Sequence, residues 1–181
     1  MAISPDQKII NLFFASPTKE FTLNSVFTKA ATSKSNAHII IEQFVKKNLV
    51  QKATLGRVWK LKANLDSEQF RRLKVAHNLQ AIYQSALIEQ IREKYPSARC
   101  IVLFGSYRKG DDVETSDLDI AVEIPGTKQM HIEEIKIINL FEHRKNVIIH
   151  VHIFSRHHVD LNVFSNIANG IVLDGFLEVK Q

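Results

Sequence analysis

The sequence predicts a mixed α/β (α+β) chain of two modules, and three observations carry that expectation. Apolar residues recur at helical spacing as far as Lys47 and then at strand spacing through a short hairpin. From Arg99 onward, apolar runs of strand length alternate with helical patterns. Charge divides along the same line: residues 1–63 hold ten Lys and Arg against three acids, net +7, whereas residues 64–181 hold fourteen against sixteen, net −2. The expected organisation is a basic module over 1–63, a linker helix over 64–96 and a near-neutral module over 97–181, with the basic part suited to a polyanion.

The chain of 181 residues is 45% hydrophobic and 24% charged, which excludes disorder as its main state. Cys100 is the single cysteine, so neither an internal disulfide nor a cysteine-built zinc site is available, and a cytoplasmic setting is expected. No apolar run approaches ~18 residues and the start lacks the order of a signal peptide, so no membrane partner is expected.

In the front module, Ile9, Ile10, Phe13 and Phe14 share one side of a helix that opens after Ser4 with Pro5 in its first turn. Thr22 caps a second helix bearing Leu23, Val26 and Phe27. A third runs from about Ser33 to Lys47, with Ala37, Ile40, Ile41, Phe44 and Val45 at helical spacing. The stretch that follows reads as two strands around a turn at Thr54 to Arg57, where Gly56 supplies a permissive backbone. Val50, Val58 and Leu61 are expected to face the helices, and Trp59 to anchor that core. Asp66 with Gln69 reads as a capping box for a long helix that bends near His77 and Asn78 and ends before Pro96.

Arg99 to Phe104 and Leu118 to Ile124 then have the pattern of buried strands, with Cys100 as inert packing. Ile132, Ile135, Ile138 and Leu140 or Phe141 predict a helix from about Gln129 to Arg144, and Asn146 to Phe154 a third strand. A helix near His157 to Ala168, behind a Ser155 cap, and a strand-like segment from Ile171 complete the module.

The chemistry concentrates in LFGSYRKGDDVETSDLDIAVEI. A strand ends at Gly105 and Ser106, ten residues intervene, and Asp117 and Asp119 open the next strand. Residues i and i+2 of a strand share a face, so the two carboxylates project together and can chelate a hard divalent cation. Gly105 lets a phosphate approach the backbone, and Ser106 offers its hydroxyl and amide. Arg108 and Lys109, on the short helix that follows, can neutralise phosphate charge. Asp111, Asp112 and Glu114 read as a polar loop.

This pattern resembles the DNA polymerase beta-like nucleotidyltransferase superfamily, in particular its minimal prokaryotic domains, over about residues 78–178. The resemblance implies a mixed sheet with flanking helices, and places Gly105, Ser106, Arg108 and Lys109 against the phosphates of ATP or another nucleoside triphosphate. It makes Asp117 and Asp119 the ligands of Mg²⁺ (or Mn²⁺), and implies transfer of a nucleotidyl group to an acceptor hydroxyl with loss of pyrophosphate. The family usually carries a third acid on a later strand. That position falls here on His150, with His152 next on the same face, and no Asp or Glu lies on the strand. Imidazole is a poorer Mg²⁺ ligand than carboxylate but a competent general base, so His150 joins Asp117 and Asp119 as a candidate catalytic group. A fold without turnover, serving as a nucleotide-responsive transcriptional regulator or antitoxin, is the competing reading. Six of the eight histidines lie between His131 and His158; of these His150 and His152 are placed to face one zinc ion, while His157 and His158 read as exposed helix-start residues.

Over about residues 5–63 the order of elements resembles a winged helix-turn-helix domain. That resemblance implies double-stranded DNA as partner, with the third helix in the major groove and the hairpin on the backbone. Lys34, Ser35, Asn36 and His38 are then the candidates for base edges, and Lys46, Lys47, Lys52, Arg57, Lys60 and Lys62 for phosphates. A homodimer reading two half-sites is expected on the same ground. Resemblance to minimal nucleotidyltransferases further implies a small, helical, toxin-like partner.

Overall fold

The computed structural model describes residues 3–137, 140–141 and 147–179. Its first elements are α1 (Pro5–Ala15), β1 (Phe21–Thr22), α2 (Leu23–Lys29), α3 (Lys34–Lys46), β2 (Val50–Leu55) and β3 (Val58–Ala63). These are followed by α4 (Glu68–Gln84), α5 (Leu87–Lys94), β4 (Cys100–Phe104), α6 (Gly105–Lys109) and β5 (Leu118–Glu123). β6 (His131–Ile137), β7 (Val147–Phe154), α7 (Leu161–Ala168) and β8 (Ile171–Gly175) close the order. Two compact units result, Met1–Lys74 and Val75–Gln181, the division falling inside α4. Among the described residues, no helix is long and apolar enough to cross a membrane.

In the first unit, side chains close the helix starts as their spacing predicts. Ser4 Oγ accepts from Gln7 N, Thr22 and Ser25 cap each other, and Ser33 Oγ accepts from Asn36 N at 3.1 Å. The three helices turn Ile9, Phe13, Val26, Ile40 and Ile41 onto Leu61 of β3, and Phe13 meets Phe21 edge-on with ring centroids 5.2 Å apart. Val50 and Leu61 are buried, but Val58 is 49% exposed, because it pairs with Leu55 at the hairpin end. Trp59 is half-buried against this core. β1 adds a third strand beside β3; at two residues it is too short to leave a period in the sequence.

The helical stretch of α4 and α5 differs from expectation at both its start and its bend. Ser67, not Asp66, caps α4, its Oγ accepting from Phe70 N. The break falls at Ser85 and Ala86, where Ser85 Oγ donates to Ile82 O and accepts from Leu87 N. Asn78 stays helical and donates to Tyr107 O and to Asp112 Oδ1. Asp112 is therefore not a solvated loop acid: it is 1% exposed.

The sheet has the order β6-β7-β5-β4-β8, with β5 and β7 parallel and the other neighbours antiparallel. β6 overturns the helix expected over 129–144: it pairs with β7 from His131 opposite Ile153 to Ile137 opposite Val147. Three-residue spacing is a helical signal, but in the strand it puts Ile135, opposite Ile149, and Ile132, opposite His152, on opposite faces; pairing with the backbone of β7 decides the element instead. Residues 138, 139 and 142–144 of that expected helix lie outside the described residues. α7 starts later than expected, on Asp160, which accepts from Asn162 N at 2.9 Å. His157 and His158 consequently sit in the turn before the helix.

Alternation along the strands divides the sheet into two unlike faces. One buries Ile101, Leu103, Ile120, Val122, Ile149, Val151 and Ile153 with Leu87 and Ile91 of α5. The other holds a smaller core of Cys100, Val102, Ala121 and Phe154 with Ile167 of α7. Burial, and then the nearby Glu123 carboxylate, push the Cys100 thiol up to about 11, so it stays protonated at neutral pH. Beside it, Arg156 pairs with the buried Glu123 at 3.2 Å and reaches Glu178. Removing one member of such a buried pair typically costs about 3–5 kcal/mol, so this contact ties the end of β5 to the segment after β7.

Candidate nucleotide and metal site

The polar end of the second face is built by strand register. Phe104 of β4 lies opposite Asp119 of β5, Asp119 opposite His150 of β7, and His150 opposite Glu134 of β6. Directly opposed residues share a face, so these four side chains form one row across the sheet. His152 extends the row by one same-face position on β7, and Asp117, expected to open the strand, stands just before β5, which starts at Leu118.

Within the row, His150 Nδ1 lies 4.0 Å from both Asp117 Oδ2 and Asp119 Oδ1, and its Nε2 lies 3.9 Å from Glu134 Oε1. His152 Nε2 is 3.0 Å from Asp119 Oδ1, and its ring stands edge-on to Phe104 at 4.9 Å. The opposite nitrogen, His152 Nδ1, is buried with no hydrogen-bond partner among the described residues. An orphaned buried N–H costs more than a bare lone pair, so the ring proton belongs on Nε2, which donates to Asp119.

Gly105 is needed here for two reasons. Its φ of +71° lies in the left-handed region, and a Cβ built on it would overlap Asp119 Oδ2 and stand 3.2 Å from Asp119 Cγ. The turn that ends β4 is thus packed directly against the carboxylate that begins β5. Ser106 follows half-buried, while Arg108 and the exposed Lys109 occupy the last turn of α6.

A potential ligand atom from each of Asp119, His150 and His152 falls within 4.8 Å of the others. Carboxylate oxygens and an imidazole nitrogen at such separations can converge on one ion with bonds of about 2.0–2.2 Å, so the donor set fits a divalent cation. The acids are partly open, with Asp117 42% and Asp119 27% exposed, which leaves room for a solute at the ion.

Residues 85–173 match the family model for the nucleotidyltransferase domain. Over this segment the chain is similar to a nucleotidyltransferase domain. The match begins at the break between α4 and α5, ends in β8, and takes in Gly105, Ser106, Asp117, Asp119 and His150. No curated protein matches the chain. The family model does not extend over the first unit.

Glu134 is the member of this row that the sequence concealed. On a helix it would have pointed away from the strand residues, and only the pairing of β6 with β7 places it opposite His150. Its neighbour Glu133 belongs to the other face, where the Lys94 ammonium holds its carboxyl below the usual range.

On the first unit, Lys34, His38 and Arg57 line one groove of about 460 Å³ with Trp59. Other candidates there are already engaged. Lys52 Nζ sits 4.3 Å over the Trp59 ring and 2.5 Å from Glu42, Lys60 pairs with Glu20 at 3.1 Å, and the Asn36 amide donates to Thr32 Oγ1. Ser35, Lys46, Lys47 and Lys62 are exposed.

The packing of Asp119 on Gly105 sets a test. Gly105→Ala is expected to destabilise the protein by about 1–2 kcal/mol in urea denaturation, from the left-handed backbone. It is also expected to weaken divalent-cation binding in calorimetry by displacing Asp119. Unchanged values for both would show that the carboxylate does not depend on this gap.

Proposed function

We propose that the nucleotidyltransferase domain transfers a nucleotidyl group from a nucleoside triphosphate to an acceptor hydroxyl, with a divalent cation, Mg²⁺ or Mn²⁺, held by Asp117 and Asp119. The observation that carries this reading is the contact of Asp119 with the Gly105 turn, which puts a cation ligand and a phosphate-binding backbone side by side. A cation at these carboxylates neutralises triphosphate charge and polarises the α-phosphorus. Gly105 leaves the backbone open to a phosphate oxygen, and Ser106 offers a hydroxyl and an N–H. Arg108 and Lys109 add positive charge toward the leaving end. The acceptor hydroxyl gives up its proton to solvent as its oxygen bonds to the α-phosphorus and the bond to the bridging oxygen breaks, that electron pair leaving on pyrophosphate.

The first unit, on this reading, is a winged helix-turn-helix that binds double-stranded DNA, with α3 in the groove and Lys34, His38 and Arg57 foremost. Its support is the excess of basic residues and the groove those three line. A second reading, a regulator that binds triphosphate without consuming it, is favoured by the absence of any acid on β7.

Incubation with each labelled triphosphate and Mg²⁺ or Mn²⁺ tests the transfer. Wild type is expected to release pyrophosphate and label an acceptor, and Asp117→Ala or Asp119→Ala to lose roughly 10²–10³-fold, the scale of removing a group that stabilises developing charge. Triphosphate binding without turnover would move the conclusion to the second reading, and no triphosphate binding would contradict both. Duplex DNA affinity is expected to fall steeply with salt, and Lys34→Ala and Arg57→Ala each to lower the log–log slope by about 1. Salt-independent binding would overturn the DNA assignment.

A further inference from the structure

We propose that His150 is a third ligand of the metal site, binding through Nδ1, and that Glu134 is the positioning residue that holds its ring. The inference rests on reading the row as a metal site and does not require that nucleotidyl transfer occur there. The two nitrogens of His150 face opposite ways along the row: Nδ1 toward Asp117 and Asp119, each at 4.0 Å, and Nε2 toward Glu134 at 3.9 Å. A ligating histidine almost always gives its other N–H to a carboxylate, carbonyl or water, which fixes the tautomer and raises ligand basicity. A small rotation of the exposed Glu134 brings its oxygen into hydrogen-bond range of Nε2–H. The Nδ1 lone pair is then left bare on the side where the two aspartates stand.

His152 does not fill this role, although its Nε2 is nearer to Asp119. For Nε2 to ligate, the ring proton would have to move to Nδ1, which is buried with no acceptor among the described residues. His152 instead steadies Asp119 by donating to Oδ1. The two histidines therefore divide the work: one binds the ion and the other orients a carboxylate that binds it.

Register places Glu134 for this role. It lies directly opposite His150, its side chain is 60% exposed, and the adjacent Glu133 faces the other way toward Lys94. An imidazole nitrogen in the ligand set adds little for Mg²⁺, which prefers carboxylate, carbonyl and water oxygens, but much for first-row transition ions such as Co²⁺ and Zn²⁺. The site is thus selective for a transition ion over Mg²⁺.

Co²⁺ titration of the full chain, read by visible absorption and by calorimetry, tests the proposal without reference to turnover. Wild type is expected to bind one Co²⁺ at this site and to release it to Zn²⁺ but not to an equal concentration of Mg²⁺. His150→Ala is expected to change the absorption band and weaken binding, and Glu134→Ala to weaken it about 10–100-fold. Glu134→Gln, which keeps an acceptor, is expected to fall between Glu134→Ala and wild type. Absorption and affinity unchanged by His150→Ala overturn the ligand assignment, and affinity unchanged by Glu134→Ala overturns the positioning role. Displacement of Co²⁺ by equal Mg²⁺ overturns the selectivity. These Co²⁺ results in a protein that transfers no nucleotide uphold the inference and fault the functional reading alone.

Discussion

The position of the Asp119 carboxylate governs everything around it. One oxygen accepts from His152 Nε2 at 3.0 Å, and the other lies over Gly105, where a single methyl group would displace it. A carboxylate in a partly open site would ordinarily sample several rotamers, at an entropic cost on binding any ligand. Here a glycine turn and a buried imidazole restrict it beforehand. The turn that leaves its backbone open to an anion and the acid that attracts a cation are consequently one packed unit, not two features that happen to be near each other.

That unit exists because the sheet does two jobs with one alternation. Val147, Ile149, Val151 and Ile153 point to the larger core, and His150 and His152 point to the other side. α7 covers that second side over Cys100, Val102, Ala121 and Phe154 and leaves the end bearing Asp119, His150 and Glu134 uncovered. The buried Arg156 and Glu123 pair sits at the covered end, at the far end of β5 from Asp119: charge is tolerated inside only where it is matched. At the open end acids and imidazoles are left to meet a solute.

Much of this was legible in the residues, for local reasons. The closeness of Gly105 to Asp119 is legible because strand geometry fixes their relation over a short span, and the Ser4, Thr22 and Ser33 caps because a cap is a contact over three residues. His150 was placed beside the acids by its period on β7. The rest depends on contacts between distant segments. The isoleucines of β6 are spaced as on a helix and fall on opposite faces of the strand, so its identity is decided by a partner strand that no window of sequence contains. The place of Glu134 opposite His150 depends on the same pairing. Asp112 resembles a loop acid in sequence because its burial depends on Asn78, far away on α4.

Diffraction from crystals soaked with Mn²⁺ and a non-hydrolysable triphosphate, recorded for the anomalous signal of manganese, locates the ion and the phosphates together. The expected result is a peak bounded by Asp117, Asp119 and His150 Nδ1, with phosphate oxygens against Gly105 and Ser106. A manganese peak away from this row, or a triphosphate ordered elsewhere on the chain, would contradict it.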